Sequence, residues 1–223
     1  MTSAEQPPGD PANDGRATRR RYDRQARTFD IVQWLPDRLA FGRLRRQLWH
    51  QVTGERVLEI GVGTGKNIPL HPPGARVVAV DISRPMLRRA ARMADRHRRE
   101  VDLVQADATR LPFRPGVFDA AVATFVFCSV PDPVAGLAEA RRVLAPGGPL
   151  HLLEHVRSPW GPMGRVMDWV NPVAVRLSGA NINRNTRENV SRGGFDVEVT
   201  DRAMGGILLR MRGTPVQGNA EDS

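Results

Sequence analysis

The middle of the chain alternates short runs of consecutive apolar residues with stretches in which apolar residues recur at helical spacing. The continuous runs predict buried strands, and the helical spacing predicts helices that bury one face. Helices are predicted over residues 85–99 and 133–144. Strands are predicted over residues 56–60, 76–80, 102–105, 118–123, 150–154, 197–200 and 207–211, the last two joined around Gly205-Gly206.

Strands separated by helices are βαβ units, and their right-handed crossovers build a parallel sheet that is covered on both faces. We therefore predict an α/β fold with a doubly wound, Rossmann-like sheet of seven mostly parallel strands and helices on both faces. The domain is expected to span residues 16–213. Residues 1–15 and 214–223 offer little to bury and are predicted to be disordered tails.

Residues 16–50 carry apolar side chains at roughly helical spacing between arginines, and two helices broken near Pro36 are predicted there. Two interpretations of their apolar face remain open. The face either packs into the core of the domain, or forms a basic amphipathic surface for lipid or for an apolar ligand.

The chain of 223 residues has a formal net charge of +9, carried almost wholly by arginine because Lys66 is the only lysine. This excess reflects either genome composition or selection for an anionic partner, such as an acidic membrane surface or an acidic substrate. Aromatic residues are only 5% of the chain and no nucleic-acid motif occurs, which argues against nucleic acid as a partner.

Cys128 is the single cysteine, which excludes an internal disulfide and a cysteine metal cluster, and no metal site is predicted. The sequence has neither a signal-peptide pattern at its start nor an apolar run near 18 residues long. We expect a cytoplasmic protein that is able to touch an anionic membrane peripherally. The sequence does not predict an oligomeric state.

The strongest motif follows the first predicted strand and has the form Glu59-x-Gly61-x-Gly63-x-Gly65. Glycines at such a turn let a ligand lie against the backbone. A dinucleotide-binding fingerprint would place its third glycine at position 66, which is Lys66. The carboxylate of Glu59 suits a ligand with a cationic amino group better than a diphosphate, which it would repel.

The next two predicted strands also end in carboxylates. Asp81 ends the second strand, where it can accept hydrogen bonds from a ribose diol; its alternative role as a helix cap is better filled by Ser83. Asp107 ends the third strand, where it can accept from an adenine amine while the backbone N–H of Ala108 donates to a ring nitrogen. Three successive strand ends therefore offer partners for an amino acid, a ribose and an adenine.

With these motifs, residues 56–155 resemble the class I S-adenosylmethionine-dependent methyltransferases, in the broad group that includes quinone-biosynthesis and phosphatidylethanolamine methyltransferases. Later landmarks of that group match Leu111-Pro112-Phe113, Phe118-Asp119 and the stretch from Arg142 to Gly148. The resemblance implies S-adenosylmethionine as cofactor. The cofactor-binding residues that it implies are Tyr22, Glu59, Gly61, Gly63, Gly65, Asp81, Ile82, Met86, Asp107, Ala108 and Thr124.

A closer likeness involves residues 126–130, 153–156, 171–172 and 179–184, which resemble the thiol S-methyltransferases that associate with membranes and lipid droplets. This chain lacks their apolar N-terminal anchor, so the likeness does not settle membrane residence or a shared substrate.

The resemblance also divides the domain into parts. Residues 16–50 are expected to form a helical lid that closes over the cofactor with Tyr22 and Phe29, and residues 56–155 the cofactor-binding core. Residues 158–192 are expected to be an insertion on the acceptor side. Within it, Asp168 and Asn181 either line the acceptor pocket or serve loop structure.

His155 at the end of the fifth predicted strand is the candidate catalytic base, with a structural, hydrogen-bonded histidine as the alternative. Glu154 is expected to face the other side of the sheet or to pair with an arginine. Cys128 is expected to be a buried, inert thiol.

The predicted function is methylation of a small-molecule acceptor, namely a thiol, a quinone-like compound or a lipid amine. The alternatives are a phospholipid N-methyltransferase at the membrane surface, a nucleotide-cofactor oxidoreductase, and a non-catalytic partner with the methyltransferase fold.

Overall fold

The structure is a computed structural model that describes residues 19–20, 23, 41–158, 160–178, 181 and 183–216. Five helices and seven strands make up most of this part of the chain. The helices are α1 (Gly42–Trp49), α2 (Arg84–His97), α3 (Pro133–Val143), α4 (Gly161–Ser178) and α5 (Thr186–Arg192). The strands are β1 (Arg56–Ile60), β2 (Arg76–Asp81), β3 (Asp102–Gln105), β4 (Ala120–Thr124), β5 (Leu150–His155), β6 (Phe195–Ala203) and β7 (Leu208–Pro215).

The seven strands form one sheet in the order β3-β2-β1-β4-β5-β7-β6. The first five run parallel, and β7 is antiparallel to both of its neighbours. The chain moves outward from β1 to β3 and then returns to the other side of β1 with β4. A doubly wound sheet opens a crevice at such a switch point, at the carboxyl ends of the strands. The predicted fold class is confirmed.

Helices cover both faces of the sheet because successive strand side chains point to opposite sides. Leu58 and Ile60 lie in a buried cluster with residues of α3 and α5. Val57 and Val77 point the other way, into a cluster with α1, and Ala79 on that same side packs against α2. The parallel strands are therefore buried on both faces, which explains their continuous apolar sequences.

The helices after β2 and β4 begin at side-chain caps. The Ser83 hydroxyl accepts from the backbone N–H of Met86 at 3.4 Å, and the Asp132 carboxylate accepts from that of Ala135 at 2.9 Å. Each cap satisfies a backbone donor that the first turn of a helix leaves without a partner. Ser83 thus caps α2 as predicted, so Asp81 at the end of β2 is not needed as the cap of this helix.

The structure corrects the predicted C-terminal boundary. Strand β7 continues to Pro215, and the backbone N–H of Val216 donates to the carbonyl of Gly194 at 2.9 Å. The prediction of a disordered tail is therefore wrong for residues 214–216. Residues 217–223 lie outside the described residues.

The sequence pattern also missed helix α4, whose 18 residues fall where only an irregular insertion was predicted. Gly161, Pro162 and Gly164 at its start are typical of loops. Apolar side chains on the exposed face of this helix further obscure its periodicity.

In the predicted lid of residues 16–50, α1 is described, and its Leu44, Leu48 and Trp49 are buried in the core. Core packing is thus the role of the apolar face of α1. Tyr22, Phe29 and Pro36 lie outside the described residues.

Candidate active site

A cleft of about 270 Å³ opens at the carboxyl ends of β1, β2 and β4, at the switch point of the sheet. It brings together the ends of the strands that carry the predicted motifs. Its lining includes Arg45, Gly61, Gly63, Asp81, Ile82, Met86, Asp107, Ala108, Thr124, Phe125, Val126, Cys128, Ser129, Val130 and His155.

A second groove, of about 600 Å³, lies at the opposite edge of the sheet. Arg76 and Asp102 at the amino ends of their strands line it, together with Arg98 and Arg99. It contains none of the motif residues, so the smaller cleft is the candidate active site.

The turn after β1 presents its backbone to the cleft. Gly63 has a φ of +55°, and a Cβ built on it would meet no atom within 4 Å. Its backbone N–H donates to the Asp81 carboxylate at 2.9 Å. Only glycine adopts this conformation readily, and the open space beside it is where a ligand can approach the backbone.

Gly65 has a different role from the one predicted, because it does not line the cleft. A Cβ there would lie 2.9 Å from the Cα of Ala90 on α2 and 2.8 Å from the Ile68 side chain. The absence of a side chain at Gly65 lets α2 pack closely against the turn, so this glycine supports the site from behind.

Asp81 is held at the mouth of the turn. Its two carboxylate oxygens accept from the backbone N–H groups of Gly63 and Ser83, each at 2.9 Å. Burial raises the pKa of Asp81 to about 6, against the lowering effect of these two hydrogen bonds and with a smaller contribution from Glu59 and Asp23. Asp81 is therefore ionised at neutral pH, in a place where further hydrogen-bond donors would stabilise the charge.

The third strand end also reaches the cleft as predicted, through Asp107 and Ala108. The Asp107 carboxylate accepts from the backbone N–H and the hydroxyl of Thr109, at 2.9 and 2.8 Å. Ile82 and Met86 line the cleft between this strand end and Asp81.

Glu59 does not line the cleft, which corrects its predicted role as a direct partner of a cationic amino group. The carboxylate is buried beneath the glycine turn, where it accepts from the Asn67 amide at 2.7 Å and contacts the Nε2 atom of His71 at 2.8 Å. The carboxylate thus acts on the cleft without lining it, through its charge on Asp81 and through the hydrogen bonds of Asn67. Asn67 in turn donates to the hydroxyl of Thr124, which does line the cleft, at 2.9 Å.

Arg45 is a cleft residue that the sequence did not single out. It lies on α1 with 7% exposure, donates to Asn67 and to Thr124 at 3.0 Å each, and lies 5.2 Å from the centre of the Phe125 ring. Because the chain contains so many arginines, the residue type alone did not identify Arg45 as a candidate site residue. Its only distinguishing feature was its place beside Leu44 on the buried face of a helix.

His155 lines the cleft as predicted, but it lies among aromatic rings. The ring centres of Phe41 and Phe125 are 5.8 and 4.8 Å from that of His155. Burial lowers the pKa of His155 to about 4. The imidazole is therefore neutral at physiological pH and a much weaker base than a histidine that titrates near neutrality.

The wall of the cleft after β4 is shaped by Glu154, which is fully buried. Its carboxylate accepts from the backbone N–H groups of Val126 and Phe127 at 2.9 and 3.0 Å, which supports the turn that begins at Phe125 with a φ of +60°. Burial raises the pKa of Glu154 to about 7. Of the two alternatives predicted for Glu154, the first agrees with the structure, because Glu154 points to the side of the sheet opposite to that of Leu153 and His155. In the described part of the chain, its carboxylate accepts from backbone N–H groups and not from an arginine.

Cys128 is buried with 2% exposure, and burial raises the pKa of its thiol well above the usual range, with the Glu154 charge as a further cause. The sulfur is therefore a neutral thiol at physiological pH. This agrees with the predicted inert cysteine, although Cys128 also contributes to the lining of the cleft.

The described residues of the predicted insertion support the cleft without lining it. The backbone N–H of Asn181 donates to the Cys128 carbonyl at 2.9 Å, and the Arg184 guanidinium donates to the carbonyls of Phe127 and Val130 at 2.7 Å. Asp168 lies on α4 and pairs with Arg157 at 2.8 Å, away from the cleft.

Within the described part of the chain, no group of three or more histidine, cysteine, aspartate or glutamate side chains is arranged to hold a metal ion. In that same part, every helix is too short or too polar to cross a lipid bilayer.

The arrangement of these elements is that of a known fold. A solved S-adenosylmethionine-dependent methyltransferase from Thermotoga maritima superposes with a TM-score of 0.65 at 23% identity, over 85% of this chain and 97% of that one. This likeness shows the fold.

The sequence relatives identify the family. A family model described as a methyltransferase domain matches residues 58–152. Demethylmenaquinone methyltransferase of Beutenbergia cavernae is 40% identical over 152 residues, or 63% of this chain, and phosphatidylethanolamine N-methyltransferase of Cereibacter sphaeroides is 34% identical over 60% of this chain and 70% of that protein. Thiol S-methyltransferase TMT1B of Homo sapiens is 37% identical over 52% of each chain.

The chain belongs to the S-adenosylmethionine-dependent methyltransferases. This confirms the predicted family and cofactor, and it argues against the oxidoreductase alternative. The match spans 59% of the length of the Beutenbergia protein.

The different surroundings of Gly63 and Gly65 lead to a first test. Gly65→Ala forces a Cβ against α2 at a positive φ, so we expect the free energy of unfolding to fall by about 1–3 kcal/mol. Gly63→Ala meets no atom, so it should cost less stability while it obstructs the ligand side of the turn. Denaturant unfolding and calorimetric binding of S-adenosylhomocysteine measure the two effects. Equal losses of stability in both variants would contradict the roles assigned here.

Proposed function

We propose that this protein transfers a methyl group from S-adenosylmethionine to a small apolar acceptor that supplies its own nucleophile, with a thiol as the favoured class. The observation that carries the proposal is the contrast between the two ends of the cleft. The end at β1, β2 and β3 presents glycine backbone and two carboxylates, whereas the end at β4 and β5 is largely apolar.

The residues at the first end fit the cofactor. The open backbone at Gly63 admits a ligand, the ionised Asp81 offers acceptors for a ribose diol, and Asp107 with Ala108 offers an acceptor and a donor for an adenine edge. When bound, S-adenosylmethionine supplies a methyl group on a positively charged sulfur.

The residues at the second end favour an acceptor that needs little help from a base. Phe125, Val126 and Val130 exclude water and provide an apolar surface, and the neutral His155 is a weak base at physiological pH. A thiol loses its proton to solvent near its own pKa, and the thiolate that forms is nucleophilic without further help. The chain's task is then to align the acceptor and to keep the cleft dry.

A phospholipid amine is the second candidate. The Cereibacter relative is named for phosphatidylethanolamine, and the net charge of +9 would favour an anionic membrane surface. A quinone-like acceptor, for which the Beutenbergia relative is named, is less well supported because His155, the histidine that lines the apolar end, is a weak base.

The lid remains part of the proposal. Besides Arg45, it contacts the site through Asp23, whose carboxylate accepts a hydrogen bond from the Ser83 hydroxyl at 2.6 Å. This contact lies beside Asp81, so Asp23 marks the ribose end of the cofactor as the part that the lid would cover. Tyr22 itself lies outside the described residues.

The raised pKa of Asp81 makes cofactor binding depend on pH. Below about pH 6 the free protein holds Asp81 protonated, so a ligand that needs the ionised carboxylate must first displace a proton. We expect the affinity for S-adenosylhomocysteine, measured by calorimetry, to be about tenfold lower at about pH 5 than at about pH 8. Asp81→Asn should bind more weakly by about 1–3 kcal/mol at neutral pH and lose most of this pH dependence. A variant that binds as tightly as the wild type would exclude the ribose contact.

The acceptor is tested by supplying an alkyl thiol, phosphatidylethanolamine vesicles and a hydroquinone side by side and measuring S-adenosylhomocysteine formation. With the thiol, the rate should rise with pH towards the pKa of the acceptor, about 8.5. His155→Gln should keep this profile and most of the rate, since a general base would contribute about 100-fold or more. Turnover on vesicles with none on the thiol at any pH would replace the first candidate with the second.

A further inference from the structure

Large apolar side chains are exposed on one short stretch that follows strand β5 in the sequence. Trp160, Met163, Val166 and Trp169 are 64%, 37%, 54% and 83% exposed, and they recur at every third position at the start of α4. They are four of the six large apolar side chains that are exposed in the described part of the chain. We call these four residues the tryptophan stripe. Such a concentration of exposed apolar surface marks an interaction site.

The stripe is not needed to hold α4 on the domain, because other side chains do this. Met167 is buried and its sulfur accepts from the backbone N–H of Ser158 at 3.3 Å. Asp168 is paired with Arg157 through two guanidinium nitrogens, and it accepts from Asn183 at 3.0 Å. An ordinary surface helix buries its apolar face, whereas α4 is anchored by Met167 and Asp168 and, among its described side chains, exposes Met163, Val166 and Trp169.

The chemistry of the stripe fits a lipid surface. Tryptophan rings settle at the boundary between headgroups and acyl chains, and cationic side chains beside them attract anionic headgroups. Arg165 lies exposed on α4 between Met163 and Trp169, and the whole chain has a net charge of +9. In a symmetric dimer through the stripe, the Arg165 side chains would be brought towards each other, which an anionic bilayer avoids.

The position of α4 links the stripe to the cleft. The helix begins six residues after His155, which lines the cleft, and its Asn171 amide contacts that of Asn181 at 3.2 Å. Asn181 donates in turn to the carbonyl of Cys128 in the cleft wall. A surface that covers the stripe therefore lies next to the apolar end of the cleft.

We propose that the tryptophan stripe docks this protein peripherally on an anionic phospholipid bilayer, with α4 lying along the surface and the apolar end of the cleft facing the lipid. An apolar acceptor dissolved in the bilayer would then reach the cleft without crossing water. Binding itself requires neither cofactor nor turnover, so the proposal stands apart from the proposed function.

The test is sedimentation of the full chain with vesicles. We expect binding to vesicles that contain about 30% phosphatidylglycerol, weak binding to pure phosphatidylcholine, and release by salt. Trp160→Ser with Trp169→Ser should lower the partition coefficient at least about tenfold. Arg165→Gln should lower it about fivefold.

Two control variants match these changes at the opposite edge of the sheet. Val216, 52% exposed, lies beyond the end of β7, and Arg114 lies exposed in the loop before β4. Val216→Ser and Arg114→Gln should bind vesicles as the wild type does. All variants should bind S-adenosylhomocysteine normally, which shows that they are folded and separates this test from that of the function.

Three outcomes would overturn the proposal. The wild type could fail to bind anionic vesicles at physiological salt, or the tryptophan variant could bind as well as its parent. Alternatively, analytical ultracentrifugation could show a dimer that the tryptophan variant abolishes, which would assign the stripe to a second copy of the chain.

Discussion

The structure depends on a buried carboxylate that has to be satisfied where the sheet meets the cleft. Glu59 is 1% exposed, and burying a charge without hydrogen-bond partners would cost several kcal/mol. Asn67 and His71 contact one carboxylate oxygen each, and Asn67 extends the network to Thr124 and to Arg45 on α1. The same hydrogen bonds that satisfy Glu59 therefore fix the turn after β1, the end of β4 and the N-terminal helix relative to one another. The cleft lies between these elements, and its shape follows from the network beneath it.

Residues whose chemistry is fixed by backbone position were predicted well from the sequence. Gly61, Gly63, Asp81 and Asp107 follow buried strands of a parallel sheet, and the carboxyl ends of such strands meet at one edge, so their spacing along the chain determines their place in the cleft. The contacts across the sheet could not be predicted in this way. Glu59 and Gly65 belong to the same motif, but one faces Asn67 and the other faces α2, because the side to which a side chain points depends on the packing of later segments.

Two further differences between the prediction and the structure have the same physical origin, which is packing that the local sequence does not determine. Among its described side chains, helix α4 exposes Met163, Val166 and Trp169 and buries Met167, so this part of its sequence lacks the pattern that identifies an ordinary amphipathic helix. His155 was placed correctly at a strand end, but burial lowers its pKa, and one of the rings that contact it is Phe41, more than a hundred residues away in sequence. Because the imidazole is buried among aromatic rings, it is neutral and lines the cleft as a weak base. The proposed acceptor therefore has to supply its own nucleophile.

The most direct test of this account replaces Asn67, which does not line the cleft but joins Glu59, Thr124 and Arg45 beneath it. Asn67→Ala removes the shared partner and leaves buried polar groups without hydrogen bonds. Calorimetry should show S-adenosylhomocysteine binding weakened by about 1–3 kcal/mol, or roughly 5- to 150-fold, in a protein that remains folded. If the variant binds this ligand as tightly as the wild type, the buried network does not organise the cleft, and the account is contradicted at its centre.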